Sequence, residues 1–169
     1  MLLRPAEPAD ALAVARVHVR SWQAAYRTLL PDDFLDNLQP EDWATRYTFD
    51  DPYPRAFQTM LAIYDSAIVG FATTVASRDP DLPDYGELAA LYVDPAHWNN
   101  GIGRALVTAA RSQLLAQGFR DALLWLLTGN TRADRFYRAD GWLPDGEIKD
   151  ATIHGIQLNE QRYRSSFTR

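Results

Sequence analysis

Two glycines, Gly101 and Gly103, follow an apolar run from Leu88 to Val93 and a short polar turn from Asp94 to Asn100. Ile102, Leu106 and the residues after them, to about Gln117, carry the apolar spacing of a helix. A strand, a turn and a helix in that order leave the first backbone N–H groups of the helix unpaired. They also aim the positive end of its dipole at the turn, and both features suit a phosphate group. Glycine matters there because a missing side chain lets phosphate oxygens approach the backbone. The dinucleotide fingerprint needs a small residue at 106, where Leu106 stands, and the nucleotide-binding Gly-Lys-Ser/Thr is missing. A bare Gly-x-Gly is equally the mark of a tight turn. The strand end at Val93-Asp94-Pro95, with a helix starting within ten residues, turns the balance toward a ligand site.

Other residues able to do chemistry are few. Glu87 opens the strand before the turn and has two readings, a proton acceptor or a solvated carboxylate at a strand end. Tyr137 is a candidate acid or a packing partner of Phe136. Asn130 is a candidate ligand for an amide or a helix cap, with Thr131 and Asp134 as a rival capping box. Asp79, Asp81 and Asp84 form an acidic loop that would attract a cation or lie solvated. The single lysine, Lys149, stands against 16 arginines in no motif for Schiff-base or phosphate chemistry. With no cysteine, disulfides, thiolate metal sites and a thiol nucleophile are excluded. His18, His97 and His154 lack metal-ligand spacing, so no metal is expected. The net charge of −5 argues against nucleic acid and leaves room for a cationic small molecule.

The elements that must position these residues read as one α/β domain over residues 1–169, helical at the front and then largely antiparallel sheet. Met1 to Arg4 reads as a strand, and Asp10 as the cap of a helix over about Ala11 to Tyr26. Pro31-Asp32-Asp33 and Pro40-Glu41-Asp42 start two short helices, and Asp50 to Pro54 is a turn-rich break. Phe57 to Tyr64 and Ala67 to Ser77 form a hairpin, and Tyr85 to Val93 is the next strand. Gly118 suits the stop of the helix that begins near Gly101. Ala122 to Leu127 is a strand, Thr131 to Ala139 a helix, and Glu147–Ile153 with Ile156–Tyr163 a hairpin around His154-Gly155. No apolar run fits a signal peptide or a membrane span, so a cytoplasmic location and no membrane partner are expected.

As a set, Glu87-Leu88-Ala89-Ala90-Leu91-Tyr92-Val93-Asp94-Pro95, Asn99-Asn100-Gly101-Ile102-Gly103-Arg104-Ala105-Leu106, Asn130, Phe136-Tyr137 and Gly141-Trp142 resemble the GNAT superfamily of N-acetyltransferases. His18 to Tyr26, through Leu29-Leu30-Pro31, is similar to a recurring bacterial branch of it. The resemblance implies an α+β fold with a mixed, mostly antiparallel sheet whose central strands splay apart between flanking helices. It implies acetyl-CoA as co-substrate and a small-molecule primary amine that attacks the thioester directly. Leu91, Tyr92 and Val93 would pair with the pantetheine arm through their backbone, where one N–H polarises the carbonyl, a contribution of ~3 kcal/mol. Asn99, Asn100, Gly101, Ile102, Gly103, Arg104 and Ala105 would hold the pyrophosphate, and Asn130 the pantetheine amides. Glu87 would act through water as the base, and Tyr137 as the acid that protonates the leaving thiolate. Trp22 and Tyr26, with Trp43, would stand in an acceptor wall. At 98, where the family usually carries Gln or Arg, Trp98 is a departure. A protein or peptide acceptor, a non-catalytic acyl-CoA-binding module, and a homodimer joined through aromatic surface stay open.

Overall fold

A computed structural model describes residues 1–51, 57–153 and 155–167. The expected turn over Asp50 to Pro54 and the expected turn residue His154 fall partly or wholly outside them. A seven-stranded sheet runs in the order β1-β2-β3-β4-β5-β7-β6. Its strands are β1 (Leu2–Pro5), β2 (Gln58–Tyr64), β3 (Ala67–Ala76), β4 (Gly86–Val93), β5 (Asp121–Leu127), β6 (Leu143–Ile153) and β7 (Ile156–Ser166). Every neighbouring pair is antiparallel except β4 and β5. That parallel pair meets only at Gly86 with Ala122 and Glu87 with Leu123, and the strands then part. Opposite β3, Thr73 pairs with Ala90 and Thr74 with Leu88, so Ala89 is an extra residue. A bulge of this kind bends its strand and increases its twist. Here it sits where β4 leaves β5.

Helices cover both faces. Helix α1 (Ala11–Ala25) buries Val14, Ala15, Val17, His18, Val19 and Ser21 on one side of the sheet, with the short α2 (Asp32–Asp36) and α3 (Pro40–Ala44) beside it. On the other face α4 (Ile102–Ala116) buries Ile102, Leu106, Val107, Ala110 and Leu114, the stripe expected from its spacing. Gly118, at φ 93°, ends it as expected, with the N–H of Phe119 donating to the carbonyl of Leu114. Helix α5 (Thr131–Ala139) adds Tyr137 to the α4-side core, near Trp142.

Two expectations change. Asp10 makes no side-chain cap on α1. Its carboxylate instead pairs with Arg4 at 2.7 Å and accepts the N–H of Glu7, closing a single 3-10 turn over Pro8–Asp10. The last hairpin is longer than its apolar residues suggest, because Leu143 and Pro144 also pair with β7, before an irregularity that ends at Ile148.

On the α1 side lies an aromatic nest. His18 stacks on Tyr92 with centroids 4.3 Å apart and meets the edges of Trp43 at 4.4 Å and Trp22 at 5.5 Å. Its Nδ1 is hydrogen-bonded to the Tyr47 hydroxyl, while its buried Nε2 has no partner among the described residues. Burial, with the charge of Arg46 second, lowers its pKa to about 3. Between pH 6.5 and about 3 the unfolded chain therefore takes up a proton that the folded protein refuses. Stability from this residue is complete above the unfolded value and is lost as pH falls, by about 1.4 kcal/mol per pH unit within the window. Urea denaturation of the wild type and His18→Phe at neutral and mildly acidic pH checks this, with a shallower acid loss expected in the variant.

Candidate active site

The parting of β4 and β5 opens a cleft of about 910 Å³. Its walls are Leu88 to Val93 on one side and Leu124 to Leu127 on the other, with the start of α4 and α5 at one end and Ser21, Trp22, Ala25 and Tyr26 of the front helix at another. Beyond Glu87 the β4 backbone has no ladder with β5, so peptide groups on that edge face the cleft rather than a strand.

The turn between β4 and α4 is tightly built. The Asp94 carboxylate accepts the Ala96 N–H at 3.1 Å and pairs with Arg20 of α1. The carbonyl of Val93 accepts the Trp98 indole N–H at 2.8 Å, and the Ser21 hydroxyl lies 3.0 Å from it. The guanidinium of Arg132, in α5, sits 3.9 Å from the centroid of Trp98 and donates to the Asn99 side-chain oxygen. The indole at 98 thus does two things: it pins the strand end and carries a cation on its face. Gly101 precedes α4 at φ 77°, a left-handed conformation that a side chain would strain. A Cβ on Gly103 would come within 3.3 Å of the Phe136 ring, so the absence of one lets α5 close against α4.

Of the residues picked out by the sequence, Trp22, Tyr26, Leu91, Tyr92, Val93, Asn99, Gly101, Ile102, Gly103, Arg104, Asn130 and Tyr137 all line this one cleft. Asn100 and Ala105 belong to the same turn and helix start but are not among the lining residues. Asn130 is the cap of α5: its side-chain oxygen accepts the Ala133 N–H at 3.2 Å. Thr131 and Asp134 form no rival box, because Asp134 turns to Arg138 and to the Tyr163 hydroxyl. Tyr137 is buried, and no described residue hydrogen-bonds its hydroxyl. Burial, then Tyr92 and Asp140, raises its pKa well above the usual phenol range. It therefore holds its proton at neutral pH and is present there as a hydrogen-bond donor.

Glu87 stands apart. It is 3% exposed at the root of the cleft, and neither oxygen is open. The Arg78 side chain binds both, and the Arg78 N–H donates to one at 3.2 Å. In this conformation Glu87 fastens the loop after β3 to the sheet. The acidic loop is likewise neither solvated throughout nor a cation trap. Arg162, 6% exposed, takes Asp81 at 2.9 Å, Asp79 at 3.4 Å and Asp145 at 2.8 Å, and Asp79 also accepts the Trp125 indole N–H. Asp84 remains exposed.

Sequence reasoning missed Arg132, Arg135 and Glu160, which also line the cleft. One signal was present for Glu160. In the strand pattern Ile156, Leu158 and Glu160 alternate with exposed residues, so a carboxylate continues an apolar face.

This fold and cleft are those of an acyl-transfer enzyme built on splayed strands. The Acetyltransferase (GNAT) family model matches residues 18–142, and the chain belongs to that family. It is an acetyl-CoA-dependent N-acyltransferase, with acetyl-CoA as co-substrate. The uncharacterized N-acetyltransferase YuaI of Bacillus subtilis is 29% identical over 161 residues, 94% of this chain and 88% of that one. A mycothiol acetyltransferase of Saccharopolyspora erythraea is 32% identical over 131 residues, 76% of this chain but only 39% of that protein. Among solved structures, a GNAT acetyltransferase of Streptococcus pneumoniae is 25% identical with a TM-score of 0.71, covering 98% of each chain. YncA of Salmonella typhimurium, solved with acetyl-CoA, has a TM-score of 0.73 at 16% identity over 100% of this chain and 95% of that one, a likeness of fold. Among the described residues no helix is long and apolar enough to cross a membrane.

The Arg78–Glu87 pair gives a stability prediction. Arg78→Met leaves a buried carboxylate without its cation and should destabilise the protein by roughly 1–2 kcal/mol. That is less than for a fully buried pair, because Arg78 lies half in water. Urea denaturation measures it.

Proposed function

We propose that this enzyme acetylates the primary amine of a small molecule by direct attack on acetyl-CoA. The observation that carries the proposal is one cleft with two different ends. At one, the glycine turn, the start of α4 and three arginines, Arg104, Arg132 and Arg135, suit phosphates. At the other, aromatic side chains of α1 and β4 bound a space of small-molecule size. Acetyl-CoA supplies an activated acyl group on a thiolate leaving group.

The backbone from Asn99 to Ala105 would hold the pyrophosphate, with Arg132 on Trp98 contributing the cation that position 98 itself lacks. Leu91 to Val93, on the edge that β5 leaves open, would pair with the pantetheine arm. Because a single N–H there is fixed before reaction, it would meet the carbonyl oxygen as charge grows on it without reorganising. Asn130 already spends its oxygen on the α5 cap, so its part would be to fix that helix, and with it Tyr137, rather than to bind amides through that atom. Tyr137, protonated at neutral pH, would give its proton to the thiolate. Glu87 would draw off the proton of the amine through water, a path that has to pass the Arg78 pair. Mycothiol acetyltransferases among the relatives favour a small amine over a protein as the acceptor.

Calorimetric titration with acetyl-CoA, followed by thiol release with a panel of amines, tests the proposal. Tight binding with amine-dependent release is the expected outcome, and no binding removes it. Tyr137→Phe should lower kcat by roughly 10²-fold while acetyl-CoA affinity stays within about twofold. Loss of affinity alone would contradict the acid role. Glu87→Gln should lower kcat and shift the acidic limb of the pH–rate profile. A fall in melting temperature with the profile unchanged would leave Glu87 as an anchor for Arg78 only.

A further inference from the structure

The cleft is electrostatically lopsided. Its arginines come from α4 and α5, whereas the one carboxylate among its described lining residues, Glu160, comes from β7. Glu160 lies opposite Leu127 in the ladder with β5 and opposite Lys149 in the ladder with β6. Leu127, its cross-strand neighbour, packs in one apolar cluster with Tyr26 and Trp22, so Glu160 lies on the aromatic side of the cleft. Glu87, the other carboxylate nearby, is committed to Arg78.

The chain supplies its own precedent for what Glu160 can hold. The ammonium of Lys149 is 3.4 Å from Glu160 Oε2 and 4.0 Å from the centroid of Trp125, and both Glu160 and Trp125 line the cleft. A primary alkylammonium is thus already accommodated between this carboxylate and a ring face. The contact is long, and the two side chains keep 45% and 28% of their surface, so it is a weak pair that a competitor can displace. Aromatic faces and a carboxylate together select a cation, since the rings contribute attraction that a neutral amine does not receive. An amine acceptor near neutral pH arrives mostly as its ammonium.

We propose that Glu160, in one cleft with Trp22, Tyr26 and Trp125, is the acceptor-binding carboxylate, that it takes a cationic primary amine as the ammonium, and that Lys149 occupies the place until the acceptor arrives. The proposal rests on the N-acetyltransferase reading and adds to it the charge state of the acceptor and the residue that recognises it. Glu160 confers specificity, and Lys149 competes with the substrate.

Putrescine is the probe, titrated against the protein with coenzyme A bound and followed by tryptophan fluorescence, with acetyl-CoA titrated separately. Glu160→Gln should weaken putrescine binding roughly tenfold or more and leave acetyl-CoA affinity unchanged, while Glu160→Asp should recover part of the loss. Lys149→Gln should move putrescine the other way, to tighter binding. Opposite signs from two members of one ion pair are not the result of a shared structural role. Equal binding of putrescine by wild type and Glu160→Gln, or no binding by the wild-type complex, overturns the proposal. If Glu160→Gln fails to fold, Glu160→Asp and Lys149→Gln carry the test, and no change in putrescine affinity in either overturns it. Loss of acetyl transfer to every amine, with putrescine still bound at Glu160, would count against the N-acetyltransferase reading instead, so the two failures are distinguishable.

Discussion

Two residue pairs, Gly86 with Ala122 and Glu87 with Leu123, hold the two halves of the sheet together, and the cleft exists because the ladder stops there. Parallel strands need a long crossover between them, and α4 is that crossover, packed over β3 and β4. Were β4 and β5 paired to their ends, Leu88 to Val93 would have no free backbone and no space beside it. The bulge at Ala89 bends β4 at the point where it leaves its partner. The separation therefore follows from register, helix placement and a single extra residue acting together.

Around that opening the polar groups are divided with little left over. Buried charges need partners, and here the partners also tie down loops. Arg78 holds Glu87 and the loop after β3, and Arg162 gathers Asp79, Asp81 and Asp145 beneath Trp125. These pairs remove most nearby carboxylates from the cleft. What remains facing it is cationic where α4 and α5 begin and anionic at Glu160 alone among the described residues. The two ends of one space thereby carry opposite charge.

Much of this was legible in the sequence. The helical stripe of α4, the stop at Gly118, the hairpin of β2 and β3, and the glycine turn all rest on local physics, which composition and spacing report. The resemblance added the splayed sheet, and with it a place for Tyr137, Trp22 and Tyr26 in one cleft. Boundaries slipped where partners decided them: Pro144 pairs with Tyr163 although a proline reads locally as a break. Asp10 looked like a cap because it precedes an apolar stripe, yet Arg4 draws its carboxylate away. Position 98 reads in sequence only as a departure, since spacing cannot reveal that Arg132 from a later helix lies on the indole.

The sequence by itself determined most of the elements, the glycine turn before α4 and the family, because each depends on residues near one another in the chain or on a pattern kept in order. Only the tertiary structure decided which charges are spent and which are free. Glu87 and Arg78 are 9 positions apart, Asp79 and Arg162 are 83, and Arg20 and Asp94 are 74. Pairings across such separations are set by strand register and helix packing. The difference between a carboxylate that anchors a loop and one that faces the cleft is therefore set by folding, and local spacing carries no trace of it.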